Sequence, residues 1–332
     1  MTYYLKVMKE KKILTVKCNR YTIKKVFLLL LFFFQISLVK AQKGDSDTIT
    51  AKKKEPVAVK SYFRFKTSYT TNDVYNGRKD SILNPYVKPS IGYYNKSGFS
   101  TYMSAYFSMQ PNQKSFDYLS LHTDYTHEIT DDFSAGVFAY KAFHDPTSTL
   151  IKSNIKGNIG ANLDYDWGFI DILVQGDVIF TTKNDYNSNI ELYKQFVIKK
   201  KNGKIVITPT FDVNFSTLNY YEGYLNKQVG RKQLNKKPNV TSVSSNITVN
   251  NNHFTLMDYE LSLPMSYKTK HFSFFITPTF AIPQNSIHTT TTTTVSLSNG
   301  VQTSAHKDST PQSELNLTNT LYAEIGLYYK FI

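Results

Sequence analysis

Residues 153–180 read Ser153-NIKGNIGANLDYDWGFIDILVQGDVI-Phe180, and the pattern in this stretch recurs along the rest of the chain. Up to Trp167 every second residue is apolar or small, with polar residues between, and the alternation resumes at Ile170. Because successive side chains of a β-strand point to opposite faces, the stretch is predicted to be a hairpin with one apolar and one polar face. Each arm has roughly 10 residues, which is enough for a tilted strand to cross a bilayer.

The same alternation predicts twelve strands between Val57 and the C-terminus. They are residues 57–70, 84–94, 98–109, 116–128, 133–143, 153–165, 168–181, 189–199, 204–216, 253–267, 271–283 and 313–331. Short connections alternate with longer ones, of which 217–252 and 284–312 are the longest. An even strand number with short turns at one end and long loops at the other is typical of outer-membrane barrels. The predicted fold class is therefore all-β, a transmembrane antiparallel up-and-down β-barrel of about twelve strands over residues 57–332.

Two strands depart from the alternation, because Lys141 and Lys194 fall on the predicted lipid face. Pro209 and Pro278 stand in two similar segments, and since proline cannot donate to a strand ladder, both sites predict a bulge unless the likeness is chance.

The N-terminus is predicted to be a secretory signal peptide, residues 1–41. A basic segment precedes an apolar run of about 14 residues, 26–39, which is in the range of signal peptides and short for a membrane span. Val39 and Ala41 occupy the −3 and −1 positions of a predicted cleavage site, so the mature chain is predicted to start at Gln42. An N-terminal membrane anchor is the alternative, and Met8 is an alternative start. Residues 42–56 are predicted to be a flexible periplasmic lead-in.

Charge and cysteine content exclude several function classes. Nine basic residues and one acidic residue of the chain lie within 1–41, so cleavage lowers the net charge from +14 to +6. The basic balance is thus mainly a targeting feature, and no nucleic-acid partner is predicted. The single cysteine, Cys18, also lies in the predicted signal, which leaves no thiol or disulfide chemistry in the mature chain.

The predicted signal ending at Ala41-Gln42, the twelve alternating segments and the aromatic last strand resemble porin-like outer-membrane β-barrel proteins. This resemblance is architectural and points to no specific family. It implies a location in the cell outer membrane, contact with outer-membrane lipid and lipopolysaccharide, and insertion by the barrel-assembly machinery, which reads a C-terminal strand similar to this one.

The polar faces of the strands are predicted to line the lumen. The predicted pore-lining residues are Lys60, Arg64, Lys66, Lys88, Asp124, Asp164, Asp171, Asp177, Asp212, Asp258, Glu260 and Glu324. The basic groups fall mostly on one wall and the acidic groups on the others, and barrel closure is expected to pair Glu324 with Arg64 or Lys60. Such charges produce a transverse field in a small hydrophilic channel. The alternative is a closed interior filled by ion-pair networks, because twelve strands lie between the filled and the open barrel sizes.

No catalytic, cofactor or metal site is predicted. Ser120, His122 and Asp124 share one strand face, but residues i and i+2 are roughly 6.5–7 Å apart at Cα, too far for a serine triad. The histidines show no HExxH motif and no paired metal spacing, and no phosphate-binding glycine loop occurs. An outer-membrane hydrolase is therefore only a distant third hypothesis.

The two long loops carry different hypotheses. Residues 217–252 contain tyrosines followed by the basic residues Lys227, Arg231, Lys232, Lys236 and Lys237. This segment is either a surface for anionic glycans or lipopolysaccharide, or a solvated loop. In residues 284–312, Asn299-Gly300 between β-prone arms predicts a tight hairpin, with a low-complexity tether as the alternative.

The predicted function is a passive, porin-like channel for small hydrophilic solutes. The alternative is a structural or interaction barrel, a subunit of an envelope complex that binds a protein partner through the external loops.

Overall fold

The computed structural model describes residues 50–51, 60–79, 83–110, 115–146, 148, 150–232, 240–250, 252–310 and 317–331. The predicted signal peptide and most of the predicted lead-in lie outside these residues. Within the lead-in, Thr50–Ala51 form a short strand that pairs antiparallel with Val197 and Phe196. The division of the N-terminus into signal and lead-in stays a prediction.

Twelve barrel strands, here named β1 to β12, are present in the described part of the chain. They are β1 Tyr62–Thr70, β2 Tyr86–Tyr94, β3 Phe99–Ser108, β4 Phe116–Glu128, β5 Phe133–His144, β6 Gly157–Asp166, β7 Asp171–Phe180, β8 Asp185–Tyr193 with Phe196–Lys200, β9 Gly203–Ile207 with Thr210–Ser216, β10 Thr255–Ser262 with Met265–Lys268, β11 Phe272–Pro283 and β12 Thr320–Phe331. Each pairs antiparallel with its neighbours in sequence, and β12 pairs with both β11 and β1. The barrel is therefore closed, and the predicted fold class is confirmed.

The two faces of the barrel wall differ as the alternation predicts. Large apolar side chains are exposed on the outside, for example Phe63, Ile159 and Leu321, the last of which is 72% exposed. The outer surface near the short turns carries exposed aromatic rings, including Trp167 and Phe169. A continuous apolar outer band with aromatic rings at its edge matches the lipid-facing surface of a membrane barrel. This outer surface makes the chain a transmembrane barrel.

Strands β8, β9 and β10 are each broken at the same level of the barrel. The backbone N–H of Lys194 donates to the carbonyl of Pro209, that of Thr208 to Pro264, and that of Leu263 to Pro278. Because proline has no N–H, the regular ladder cannot continue through Pro209 and Pro264, and each strand restarts beyond the break.

A folded unit, here named the cap, lies at the long-loop end of the barrel. It comprises a short hairpin, Val74–Tyr75 with Arg78–Lys79, a 3-10 turn Ile151–Asn154, the helix α1 Asn219–Lys232, and an outer sheet. The outer sheet has the strands Val240–Val249, Thr289–Leu297 and Gln302–Ser309, with Thr289–Leu297 in the centre. These elements are insertions in the long loops after β1, β5, β9 and β11.

The hairpin predicted at Asn299-Gly300 is present. It joins Thr289–Leu297 to Gln302–Ser309 through residues 298–301. The backbone N–H of Leu297 donates to the carbonyl of Val301, and Gly300, inside this turn, has a positive φ of 80°. This matches the hairpin class in which a glycine in the left-handed region closes the loop. The six threonines 289–294 lie in the central strand of the outer sheet, so they are not part of a low-complexity tether.

Candidate functional site

The candidate site is the barrel lumen, which begins at a group of basic residues on β1 and β2. The ammonium groups of Lys66 and Lys88 lie 3.0 and 3.2 Å from the same carboxylate oxygen of Glu324 on β12. Sequence analysis predicted Arg64 or Lys60 as the partner of Glu324. That pairing is wrong because the register aligns Arg64 with Lys330, near the short-turn end, and Glu324 with Thr70, near the other end.

Arg64 is held by aromatic rings. Its guanidinium carbon lies 4.1 Å from the ring centroid of Tyr94 and 5.3 Å from that of Tyr328. Stacking on aromatic faces leaves the edge of the guanidinium plane, which carries its N–H groups, directed away from the rings. Lys60, by contrast, is exposed before the start of β1.

The acidic residues of the lumen are held mainly by neutral donors. Tyr193 donates a 2.9 Å hydrogen bond to Asp164, and Tyr322 donates a 3.2 Å bond to Glu260. Hydroxyl donors therefore satisfy carboxylate oxygens of both residues inside the barrel.

Side-chain amides hold two further predicted acids. Asn158 and Asn187 donate to the two carboxylate oxygens of Asp177 at 2.7 and 3.1 Å, and Asn189 donates to Asp212 at 3.2 Å. The four carboxylates Asp164, Asp177, Asp212 and Glu260 are here named the acidic wall, which lies on β6 to β10.

Two predicted lumen acids lie apart from the acidic wall. The ammonium group of Lys194 lies 3.2 Å from a carboxylate oxygen of Asp171 and 3.2 Å from one of Asp166. Asp258 is 0% exposed beneath the cap, where a Cβ added to Gly77 would lie 2.7 Å from the Asp258 Cβ.

An aromatic ladder crosses the inner face of β3, β4 and β5. The ring of His122 stacks on Tyr102 at 4.4 Å and contacts Tyr140 at 4.5 Å, while Tyr118 stacks on Tyr106 at 3.8 Å. Cross-strand aromatic pairs of this kind stabilise a sheet and fix its side chains. Sequence analysis placed His122 on the same strand face as the predicted pore-lining residue Asp124 but did not predict the ladder. The sequence pattern that could have predicted the ladder is a tyrosine or histidine at every fourth residue, which is every second inward-facing position.

Two cavities occupy the lumen. The first has a volume of ≈ 400 Å³, and its charged lining residues are Arg64, Lys66, Lys88, Asp124 and Glu324. The second has a volume of ≈ 480 Å³ and is lined largely by the aromatic ladder, Lys152 and side-chain amides. Both cavities are lined by Tyr102, Tyr106, His122 and Asp124, so they meet at the aromatic ladder.

The cap covers the lumen at the long-loop end with an apolar cluster. From α1, Tyr220, Tyr221 and Tyr224 are buried in it, together with Ile179 of β7 and Met257 of β10. Barrel strands thus contribute directly to the cap core, and the cap is packed onto the mouth of the barrel.

Helix α1 is positioned by polar contacts at its start and along its length. The carboxylate of Asp185, the first residue of β8, accepts the backbone N–H groups of Asn219 and Tyr220, both at 2.7 Å. A carboxylate at a helix N-terminus satisfies N–H groups that have no partner within the helix. Asn226 binds both backbone groups of Ile247 in the outer sheet.

The cap also contains two contacts that tie loops together. The guanidinium of Arg78 donates a 2.7 Å hydrogen bond to the carbonyl of Asn285. Lys152 forms a 2.6 Å ion pair with Asp73. Burial by itself lowers the pKa of the Lys152 ammonium, but the Asp73 carboxylate together with Tyr106 and Tyr140 outweighs this and raises the pKa above its ordinary value.

Sequence analysis did not predict α1. Its apolar residues Tyr220, Tyr221, Tyr224 and Leu225 follow the i, i+1, i+4, i+5 spacing of one helical face, which was the available signal. Within the basic surface predicted for this loop, the ammonium group of Lys227 donates a 3.3 Å hydrogen bond to the hydroxyl of Ser153. Lys236 and Lys237 lie outside the described residues. Binding of glycans or lipopolysaccharide there stays a prediction.

The three residues considered for a serine triad form no hydrogen bonds with one another in the described structure. Ser120 is 0% exposed and its hydroxyl has no hydrogen-bond partner among the described residues, His122 belongs to the aromatic ladder, and Asp124 accepts from Ser100 at 2.8 Å. Within the described ranges, no group of three His, Cys, Asp or Glu side chains is arranged to hold a metal ion. No helix among these residues is long and apolar enough to cross a membrane.

Fold and lumen together define a transmembrane β-barrel with a polar interior and a folded outer cap. The resemblance to porin-like barrels predicted from the sequence is present at the level of this closed twelve-stranded architecture. No protein-family profile matches the chain, and no curated protein sequence matches it.

Solved structures similar to this chain include outer-membrane proteins. A porin refined at 1.8 Å resolution shares 8% identity, with a TM-score of 0.28 and coverage of 82% of this chain and 99% of the porin. OmpF of Salmonella typhi in complex with daunomycin shares 8% identity, with a TM-score of 0.29 and coverage of 82% and 97%. A bacterial polysaccharide outer membrane secretin shares 8% identity, with a TM-score of 0.34 and coverage of 82% and 99%.

Proposed function

We propose that this protein is an outer-membrane channel through which small hydrophilic solutes pass passively, and that the cap controls access at the outer mouth. The observation that supports this most directly is the lumen, with a cavity lined by charged residues that meets a second cavity at the aromatic ladder. A lumen filled only for stability would be expected to place apolar side chains or complete ion-pair networks there, as smaller barrels do.

The arrangement of charge also supports a path for polar solutes. Arg64, Lys66 and Lys88 face the first cavity from β1 and β2, while the acidic wall lies on β6 to β10. Opposite charges across a narrow space of low dielectric produce a strong local field, which orients a dipolar solute and its water. The acids of this wall accept hydrogen bonds from hydroxyl and amide groups.

The proposed location is the outer membrane of a Gram-negative-type envelope. The predicted signal peptide and the apolar outer band support export and insertion by the barrel-assembly machinery. In that setting the barrel surface contacts outer-membrane lipid, and the cap and the outer sheet face the lipopolysaccharide layer.

Swelling of proteoliposomes tests the proposal. Protein purified from membranes in detergent is reconstituted into liposomes, which are then diluted into isotonic solutions of a neutral monosaccharide and of a larger oligosaccharide. We expect swelling in the monosaccharide and little in the oligosaccharide, because the cavities are small. Liposomes that stay impermeable to both sugars, although gel mobility before and after heating shows a folded barrel, would contradict the channel.

An interaction barrel is the second candidate, and the packed cap favours it. The cluster that includes Tyr220 and Met257, both 0% exposed, covers the long-loop end, and the edge strand Gln302–Ser309 is exposed almost throughout. This candidate predicts impermeable liposomes and a stoichiometric envelope partner. The partner should be lost when residues 289–309 are replaced by a short Gly-Ser linker.

A further inference from the structure

Arg64 is the one cation of the first cavity that the described residues leave without a bound acceptor. Its guanidinium makes ring contacts with Tyr94 and Tyr328, and it forms no ion pair or hydrogen bond with any described residue. A guanidinium has five N–H donors in a planar fork that matches a carboxylate or a phosphate. The two rings hold this fork in place, so little conformational freedom is lost when an anion binds.

The other charged residues of the first cavity form no ion pair with Arg64. Lys66 and Lys88 share the single carboxylate of Glu324, at 3.0 and 3.2 Å. Asp124 accepts hydrogen bonds from the Ser100 hydroxyl at 2.8 and 2.9 Å, and its carboxylate attracts Arg64 electrostatically without forming an ion pair with it. The cavity therefore contains three cations and two carboxylates, both of which already have partners.

The size and lining of the first cavity suit a small polar ligand. Its volume of ≈ 400 Å³ lies in the range of small-molecule sites. Hydroxyl groups of Ser90 and Ser104, which are 2.8 Å apart, lie on the wall beside Lys66 and Lys88 and can donate to an anion or accept from its hydroxyl groups.

We propose that the first cavity is a binding site for the anionic group of a small solute, a carboxylate or a phosphate. Arg64 binds two oxygens of this group through its fork, and Lys66 and Lys88 supply the supporting charge. The role of this site in transport rests on the proposed channel function, for which it specifies the solute class as small organic acids or phosphorylated compounds. Binding itself requires only the folded barrel.

Isothermal titration calorimetry of the detergent-purified protein tests the site. The probes are inorganic phosphate, succinate and, as a neutral control, glucose, in a low-salt buffer because exposed charges are screened by salt. We expect phosphate or succinate to bind and glucose not to bind. The variant Arg64→Gln should weaken binding at least tenfold, and Arg64→Lys should weaken it as well because lysine lacks the fork.

Lys270→Gln is the matched control, since it removes an exposed charge outside the lumen and should change the affinity less than twofold. Lys88→Gln is a second cavity variant, for use if Arg64→Gln does not fold. Binding of neither anion to the wild type, or undiminished binding to a folded Arg64→Gln or Lys88→Gln, would overturn the site. If the protein binds anions but its liposomes are impermeable, the binding site is supported and the channel is contradicted. If the liposomes are permeable but no anion binds, the channel is supported and the binding site is contradicted.

Discussion

At the scale of single residues, Lys194 shows where strand alternation stops predicting side-chain direction. Counting along β8 places Lys194 on the lipid face, which is wrong: it pairs with Asp166 and Asp171, and its side chain is 12% exposed. The backbone of Lys194 bonds to Pro209 on the neighbouring strand, and the strand break there turns the side chain inward. That break depends on a partner strand, so the sequence of β8 alone does not contain it.

Replacing Lys194 by Met should destabilise the barrel. The change leaves Asp166 and Asp171 close together without a cation, and loss of one partner of a buried ion pair typically costs about 3 kcal/mol or more. The free energy of unfolding, from urea titrations in lipid vesicles, measures the effect. Lys141→Met is the control, because Lys141 is exposed on the outer face and its replacement should be neutral or slightly stabilising. Equal effects of the two changes would contradict the assigned orientations.

At the scale of elements, the barrel strands and the Asn299-Gly300 hairpin of the outer sheet were predictable, and the rest of the cap was not. Alternation is a local property of each strand, so all twelve strands were found from residues such as those of β6 and β7. Helix α1 has low hydropathy and is stabilised by contacts distant in sequence, with Asp185 at its start and Ile247 along its side. The hairpin turn at Asn76-Gly77, with φ of 49° and 71°, was predictable from its Asn-Gly signal but was treated as loop.

Tyr220→Ala should open the cap without unfolding the barrel. Tyr220 is fully buried and lies edge-on to Tyr75, with 5.1 Å between ring centroids. Removing a buried aromatic ring costs about 3 kcal/mol or more, so amide hydrogen exchange in residues 219–232 should become about 100-fold faster. Tyr186→Ala is the control, since Tyr186 is exposed on the outer face of β8. If exchange in α1 is unchanged, the cap does not depend on this core.

Lys152→Met should loosen the cap by removing the ion pair with Asp73. Since the pKa of Lys152 is raised in the folded protein, its contribution is complete below the ordinary lysine pKa of about 10.4 and is lost only as the pH rises through the higher folded value. The difference in hydrogen exchange of the cap between wild type and variant should therefore be the same at pH 6 and pH 9. Lys183→Met, which removes a largely exposed partner of Glu222, should have little effect. A difference that disappears by pH 9 would contradict the raised pKa.

At the scale of the whole molecule, sequence analysis predicted the barrel and the polarity of its lumen, but not how the charges pair. Inward placement of Arg64, Lys66, Lys88 and Glu324 follows from alternation within each strand. Which of them meet depends on the stagger between β1 and β12, which no single strand specifies. The aromatic ladder lines both cavities, and Tyr75 and Lys152 of the cap line the second, so the cavities become visible only in the assembled fold.

The most direct test of the channel is a single-channel recording in a planar bilayer, made with protein purified from membranes and shown to be folded. We expect discrete conductance steps in the wild type and more frequent or larger steps in Tyr220→Ala, because the cap covers the outer mouth. Arg64→Gln should shift the ion selectivity toward cations, whereas Lys270→Gln should not. A bilayer that stays silent with the folded wild type and with Tyr220→Ala would contradict the account.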